Sequence, residues 1–150
     1  MIIEVSNYIP FFLIPLMGWG VVRLLKEKND FNSLKKVTLC IGLIAFFITE
    51  MTRSFWRPYA YQNEVFDYYF SDTIGNSFGT IAAIFMLLTL VGKGIRQDWR
   101  LVCFIIIGLI IYELLGYPSK FDFNDLIATI VFGIISLNSY FVLLRKYGKQ

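Results

Sequence analysis

Two apolar stretches of this 150-residue chain open with an acid, at a point where a membrane helix would be leaving water. They are Asp72-Thr-Ile-Gly-Asn76-Ser-Phe-Gly79 and Asp122-Phe-Asn-Asp125-Leu-Ile-Ala128-Thr129. Each follows an apolar run with a lone glutamate near its end, Glu50 before the first and Glu113 before the second. A carboxylate at the centre of a bilayer-spanning helix costs roughly 2.5 kcal/mol or more, so acids placed there need partners, water or a task. Arg53 and Arg57 follow Glu50 and are suited to bidentate contacts with a phosphate or carboxylate. Asn76 can orient a carboxylate or a ligand amide. The candidate ligand-binding set is thus Glu50, Arg53, Arg57, Asp72, Asn76, Glu113, Asp122 and Asp125. Asp72 and Asp125 are also the candidate catalytic pair, since two carboxyls that cannot both ionise share a proton and activate water.

Helical spacing must bring these groups together. Asp72, Asn76, Gly79 and Ala83 fall at i, i+4, i+7 and i+11, one narrow helix face. Asp125, Ala128, Thr129, Phe132 and Ser136 do the same on a second helix, and Asp122 lies one turn before Asp125. On the helix ahead of the first motif, Glu50, Arg53, Ser54 and Arg57 share a face. Small residues behind each acid favour close helix contact, which turns the polar faces inward. An acid at a helix start also suits the helix dipole and can cap the first amides. The connection from Trp56 to Ser71 is rich in rings, including Trp56, Tyr59, Tyr61 and Phe66, and is expected to form a short interfacial helix or loop over the polar pocket.

Composition sets the medium. Hydrophobic residues make up 57% of the chain, aromatics 18%, and the mean hydropathy is +0.61. Soluble domains are usually nearer 45–50% apolar, so the chain reads as one all-α domain mostly inside a bilayer. The net charge of +3 comes without a basic run interleaved with aromatics, which excludes nucleic acid as a partner. There is no histidine, which removes the usual imidazole base, pH switch and metal ligand. Cys40 and Cys103 stand apart in apolar segments and read as packing residues. No metal site or cofactor is expected. A divalent cation held by oxygen ligands at the acidic cluster is a variant that titration tests.

Five apolar runs are near the length that crosses a bilayer, at about 8–25, 37–55, 74–91, 101–117 and 126–144. Pro118 should stop the fourth, while Pro10 and Pro15 should bend the first, with Gly18 and Gly20 admitting a close neighbour. Eleven of the fourteen basic residues lie at one set of ends, and only Arg53, Arg57 and Lys120 at the other. Eight of the eleven acids lie with those three. The positive-inside rule then places the amino terminus outside and the carboxyl terminus in the cytoplasm of a bacterial inner membrane, in a multi-pass bundle. Glu4, with no basic residue before it, marks the first run as a retained span rather than a signal peptide.

The second and third runs form one hairpin and the fourth and fifth another, each reading Glu, outer connection, Asp, then small residues. Aligning Asp72 with Asp125 sets Gly75 on Ala128 and Asn76 on Thr129. This is the pattern of a parallel duplication.

The sequence Asp72-x-x-x-Asn76-x-x-Gly79, preceded by Glu50 and Arg53, resembles the signature of the VanZ-like family of small bacterial membrane proteins. The likeness spans roughly Glu50 to Ser136. The second copy departs from it at Thr129 and Phe132, where asparagine and glycine are usual. The resemblance implies a role in cell-envelope biology, and the family is associated with low-level resistance to the glycopeptide teicoplanin.

Several functions follow from these residues. The first is a pocket that binds or processes an envelope amphiphile: a lipid headgroup, a lipid-linked saccharide or a lipopeptide. The second is a carboxylate-dyad membrane hydrolase; Phe123-Asn124 beside Asp125 resembles one motif of lipoprotein signal peptidases, whose remaining pattern is absent. Ion movement needs polar relays, and only small polar residues such as Thr89, Ser136 and Asn138 continue toward the other side. Against all of these stands a non-catalytic scaffold or interaction subunit, its polar groups holding two hairpins together and its partner another membrane protein.

Overall fold

The computed structural model of the chain describes residues 8–66, 70–115 and 122–148. Among these the regular structure is entirely helical: α1 (Ile9–Glu27), α2 (Ser33–Met51), α3 (Arg57–Gln62), α4 (Phe70–Val91), α5 (Ile95–Leu115) and α6 (Phe123–Tyr147). A π-helical segment, Thr52–Trp56, joins α2 to α3. Each of the five expected apolar runs falls on one of the five long helices. Three stretches, Ile9–Glu27, Asp72–Val91 and Phe123–Tyr147, are long and apolar enough to cross a membrane. Helices α2 and α5 have similar lengths of 19 and 21 residues but carry charges near both ends, among them Lys35, Lys36 and Glu50 in α2 and Asp98, Arg100 and Glu113 in α5. The expected extension of the fourth run to Tyr117 and its stop at Pro118 lie outside the described residues.

Local chemistry fixes several helix ends. Asn32 caps α2 by accepting the Lys35 N–H at 2.9 Å. Asp122, rather than Asp125, caps α6, accepting the Asn124 N–H at 2.8 Å. Pro10 sits in the first turn of α1, where a missing N–H costs nothing, so it does not bend that helix; Pro15 lies inside it. At Pro58 the helical run continuing from α2 widens. Proline offers no N–H and its ring crowds the carbonyl four residues back, and the turn before it is π-helical, with the Arg57 N–H donating to the Thr52 carbonyl. The connection Trp56–Ser71, expected as a short helix or loop, begins as the helix α3, and residues 67–69 of it lie outside the described residues.

Helix α4 is the centre of the bundle, packed along α2 on one side and α6 on the other, with α5 against α6 and α1 against α2. A Cβ at Gly42 would lie 3.0 Å from the Met86 side chain and 3.2 Å from its backbone nitrogen, so α2 and α4 meet closely there. A Cβ at Gly133 would fall 2.6 Å from Ile106, which marks the α5–α6 contact. Gly18 similarly faces Leu43, whereas Gly20 faces open space. The glycines behind Asp72 do not close helices together: nothing lies within 4 Å of a Cβ at Gly75 or Gly79.

The buried core, Leu34, Ile84, Phe85, Leu88, Val102 and Tyr140, belongs to the basic half of the bundle. A polar node tightens that end. The Lys35 Nζ donates to the carbonyls of Leu88 (3.1 Å) and Gly92 (2.9 Å), capping α4 with a cation as its dipole favours. Asp98, 1% exposed, accepts the N–H groups of Lys93 and Gly94 at 2.8 and 2.9 Å and the Tyr140 hydroxyl. Four helix ends are tied together at this node. At the acidic end the helices part.

Candidate functional site

Where the helices part, a cavity of about 880 Å³ opens between the π segment and the near ends of α3, α4, α5 and α6. The π segment contributes Arg53 and α3 contributes Arg57; α4 adds Asp72, Gly75 and Asn76. Its other walls come from Tyr112, Glu113 and Leu115 of α5, and from Asp122 and Asp125 at the start of α6. Seven of the eight residues expected from sequence thus face one space. Glu50 is not among them. It is 5% exposed and packed behind Arg53, whose Nη1 lies 3.8 Å from its Oε1. Its Oε2 has no hydrogen-bond partner among the described residues.

One wall is a closed polar ring. Arg57 Nη2 lies 3.0 Å from Asp72 Oδ1, its Nε donates to the Tyr61 hydroxyl at 3.2 Å, and that hydroxyl donates to the same Asp72 oxygen. Arg57 and Tyr61 are one turn apart on α3, so a six-residue helix presents both to the first turn of α4. The Tyr61 hydroxyl and the Asp72 carboxylate hold the Arg57 guanidinium above its ordinary range, against the opposing effect of burial. In the sequence Tyr61 stands out only as one of the rings of the connection. Its i, i+4 spacing from Arg57 is the signal that would have singled it out. Tyr112 and Leu115 carried no signal, since an exposed lipid-facing ring and a wall residue look alike in an apolar helix.

The facing wall is acid-rich and largely unpaired. Asp125 lies beside the Asn76 side chain, and its surroundings include the charges of Asp122, Asp72 and Arg57. Its Oδ1 is buried with no hydrogen-bond partner among the described residues. Because Asp122 serves as the α6 cap, Asp125 is released from that duty. Glu113 lies within electrostatic reach of Asp125 and Asp122. Among the described residues neither Glu113 nor Asp125 forms an ion pair, in contrast to Asp72 on the other wall. The candidate catalytic pair, Asp72 and Asp125, lines the same cavity, with the Asp72 charge within electrostatic reach of Asp125. Among the described residues no group of three or more acids is placed to hold a metal ion.

No family model, curated protein or solved structure matches the chain.

Proposed function

We propose that the chain is a five-span, VanZ-like protein of the bacterial cytoplasmic membrane, amino terminus outside, and that its outward-facing cavity binds the headgroup of an envelope amphiphile. The observation that carries this reading is the convergence of seven predicted polar residues, drawn from five consecutive helical segments, on one space of about 880 Å³. That volume suits a headgroup, within the range of small-ligand pockets. A site at the end of a bundle, half in lipid and half in water, suits an amphiphile.

Charge narrows the headgroup. Arg57 already has Asp72, while Arg53 is mostly exposed and only loosely paired at 3.8 Å, leaving it free to meet a phosphate. Glu113 and Asp125 supply negative charge that an amine would neutralise. A zwitterionic headgroup, phosphate toward Arg53 and ammonium toward Asp125 and Glu113, complements the walls better than a purely anionic one. Lipid binding to the detergent-solubilised protein, followed by native mass spectrometry, tests this. Phosphatidylethanolamine should be retained in preference to phosphatidylglycerol, and Asp125→Asn or Arg53→Gln should weaken its retention about tenfold, as expected when a charged hydrogen-bonding partner is lost. Equal retention of the two lipids, unchanged in both variants, would remove the reading.

The closed ring of Arg57, Tyr61 and Asp72 favours a second reading, in which the polar groups hold α3 to α4 and the protein serves as a scaffold for another membrane protein. In that case the same variants alter assembly and leave lipid retention untouched.

A further inference from the structure

We propose that α3 is a latched lid over the cavity, hinged at the π segment Thr52–Trp56 and held shut by the ring of Arg57, Tyr61 and Asp72. The inference rests on the cavity being a ligand site and adds how a ligand enters it. Three observations carry it.

The first is a weak point in the backbone. Between α2 and α3 the regular pattern is broken by the π turn, and Pro58 supplies no N–H to bridge it. Such turns are where helices bend.

The second is the thinness of the lid's attachment. Helix α3 has only six residues, and apart from Ala60 the side chains from Arg57 to Gln62 are exposed. Hydrophobic burial therefore does little to fix it. Among the described residues, polar contacts that Arg57 and Tyr61 make with Asp72 tie it to α4.

The third is position. Arg57 and Asp72 both line the cavity, so their contact spans its edge, and separating them widens the opening. An exposed ion pair is worth little, and with a hydroxyl bond to a carboxylate added the closure is firm enough to be populated and weak enough to be reversed. A zwitterionic headgroup passing this edge on its way to Arg53, Asp125 and Glu113 is also suited to opening it, since its two charges compete in passing for Arg57 and Asp72.

The test needs no ligand. In a protein with Cys40 and Cys103 replaced by alanine, Gly75→Cys puts a thiol in the cavity wall, where an added Cβ meets nothing within 4 Å. The rate of its modification by a membrane-impermeant methanethiosulfonate is then measured with the latch intact and with Tyr61→Phe or Asp72→Asn. Each latch variant should speed modification by roughly five- to tenfold, the effect of losing one exposed hydrogen bond. Raising the salt concentration should speed the intact protein toward the same rate. A thiol at Val65, exposed beyond the lid, should react at one rate throughout, which shows that the variants are folded and the reagent unaffected. Identical rates at position 75 in all proteins, at low and high salt, would overturn the lid. That result would leave the lipid-retention measurement standing, while loss of lipid selectivity with faster labelling would keep the lid and discard the ligand.

Discussion

Asp98 and Asp125 both sit in the first turn of a helix, at opposite ends of the bundle, and their oxygens meet different fates. Those of Asp98 are fully used, by two backbone N–H groups and the Tyr140 hydroxyl, with Lys35 close by. At Asp125 one oxygen is buried without a hydrogen-bond partner among the described residues. A satisfied buried charge is expensive to break, because its former donors are left stranded, whereas a poorly satisfied one already carries its desolvation cost. Asp98→Ala should therefore lower the unfolding free energy in detergent by about 2–4 kcal/mol. Asp125→Asn, nearly isosteric and uncharged, should leave stability unchanged or raise it. Thermal unfolding of the two variants beside the parent gives the comparison. Equal losses would mean that Asp125 is structural, and the acid-rich wall would lose its claim to a ligand. Holding an unfavourable charge is what a binding site does when its partner completes the pairing.

At the scale of the helices, the same logic applies to glycine. Gly133 leaves α6 room to approach Ile106 of α5, so Gly133→Val overpacks that contact and should cost about 1–3 kcal/mol. Gly79 faces open space, and Gly79→Ala should stabilise by roughly 0.5–1 kcal/mol through helix propensity alone. Opposite signs in one melting series would show that the bundle is tight at α5–α6 and slack beside Asp72. The five long helices were legible because apolar runs near 20 residues long, ended by charge clusters, admit no other structure in lipid. The convergence of Asp72, Asn76, Glu113 and Asp125 was legible too, since acids and an amide at one depth on adjacent helix ends have little choice of neighbours. Less visible were effects set by side-chain reach: that Glu50 is taken up behind Arg53, that Asp122 does the capping, and that Gly75 widens a space instead of closing one. The Lys35–Asp98–Tyr140 node left no pattern at all. Its members lie 63 and 42 residues apart, and only the approach of four helix ends brings them together. One cue existed in Asp98, an acid stranded among Lys93, Arg96 and Arg100.

For the molecule as a whole, packing and charge are graded along the same axis. The basic end holds the buried core and the satisfied node; the acidic end holds the cavity, the thinly attached α3 and the unpaired carboxylates. If the bundle spans the bilayer, one orientation follows from the count of eleven basic residues at one set of ends against three at the other. The cavity then faces away from the cytoplasm, toward envelope components, and the compact end faces in. The orientation can be read without any ligand. In intact cells, with Cys40 and Cys103 removed, a single cysteine replacing Tyr61 should react with an impermeant maleimide, and one replacing Lys146 should react only after the membrane is opened. Both positions are exposed on the protein, so access across the membrane and not burial decides the outcome. Labelling of position 146 in intact cells, with position 61 protected, would turn the cavity toward the cytoplasm. An envelope amphiphile of the outer leaflet could not then be its ligand, and the headgroup would have to be sought among lipids of the inner leaflet.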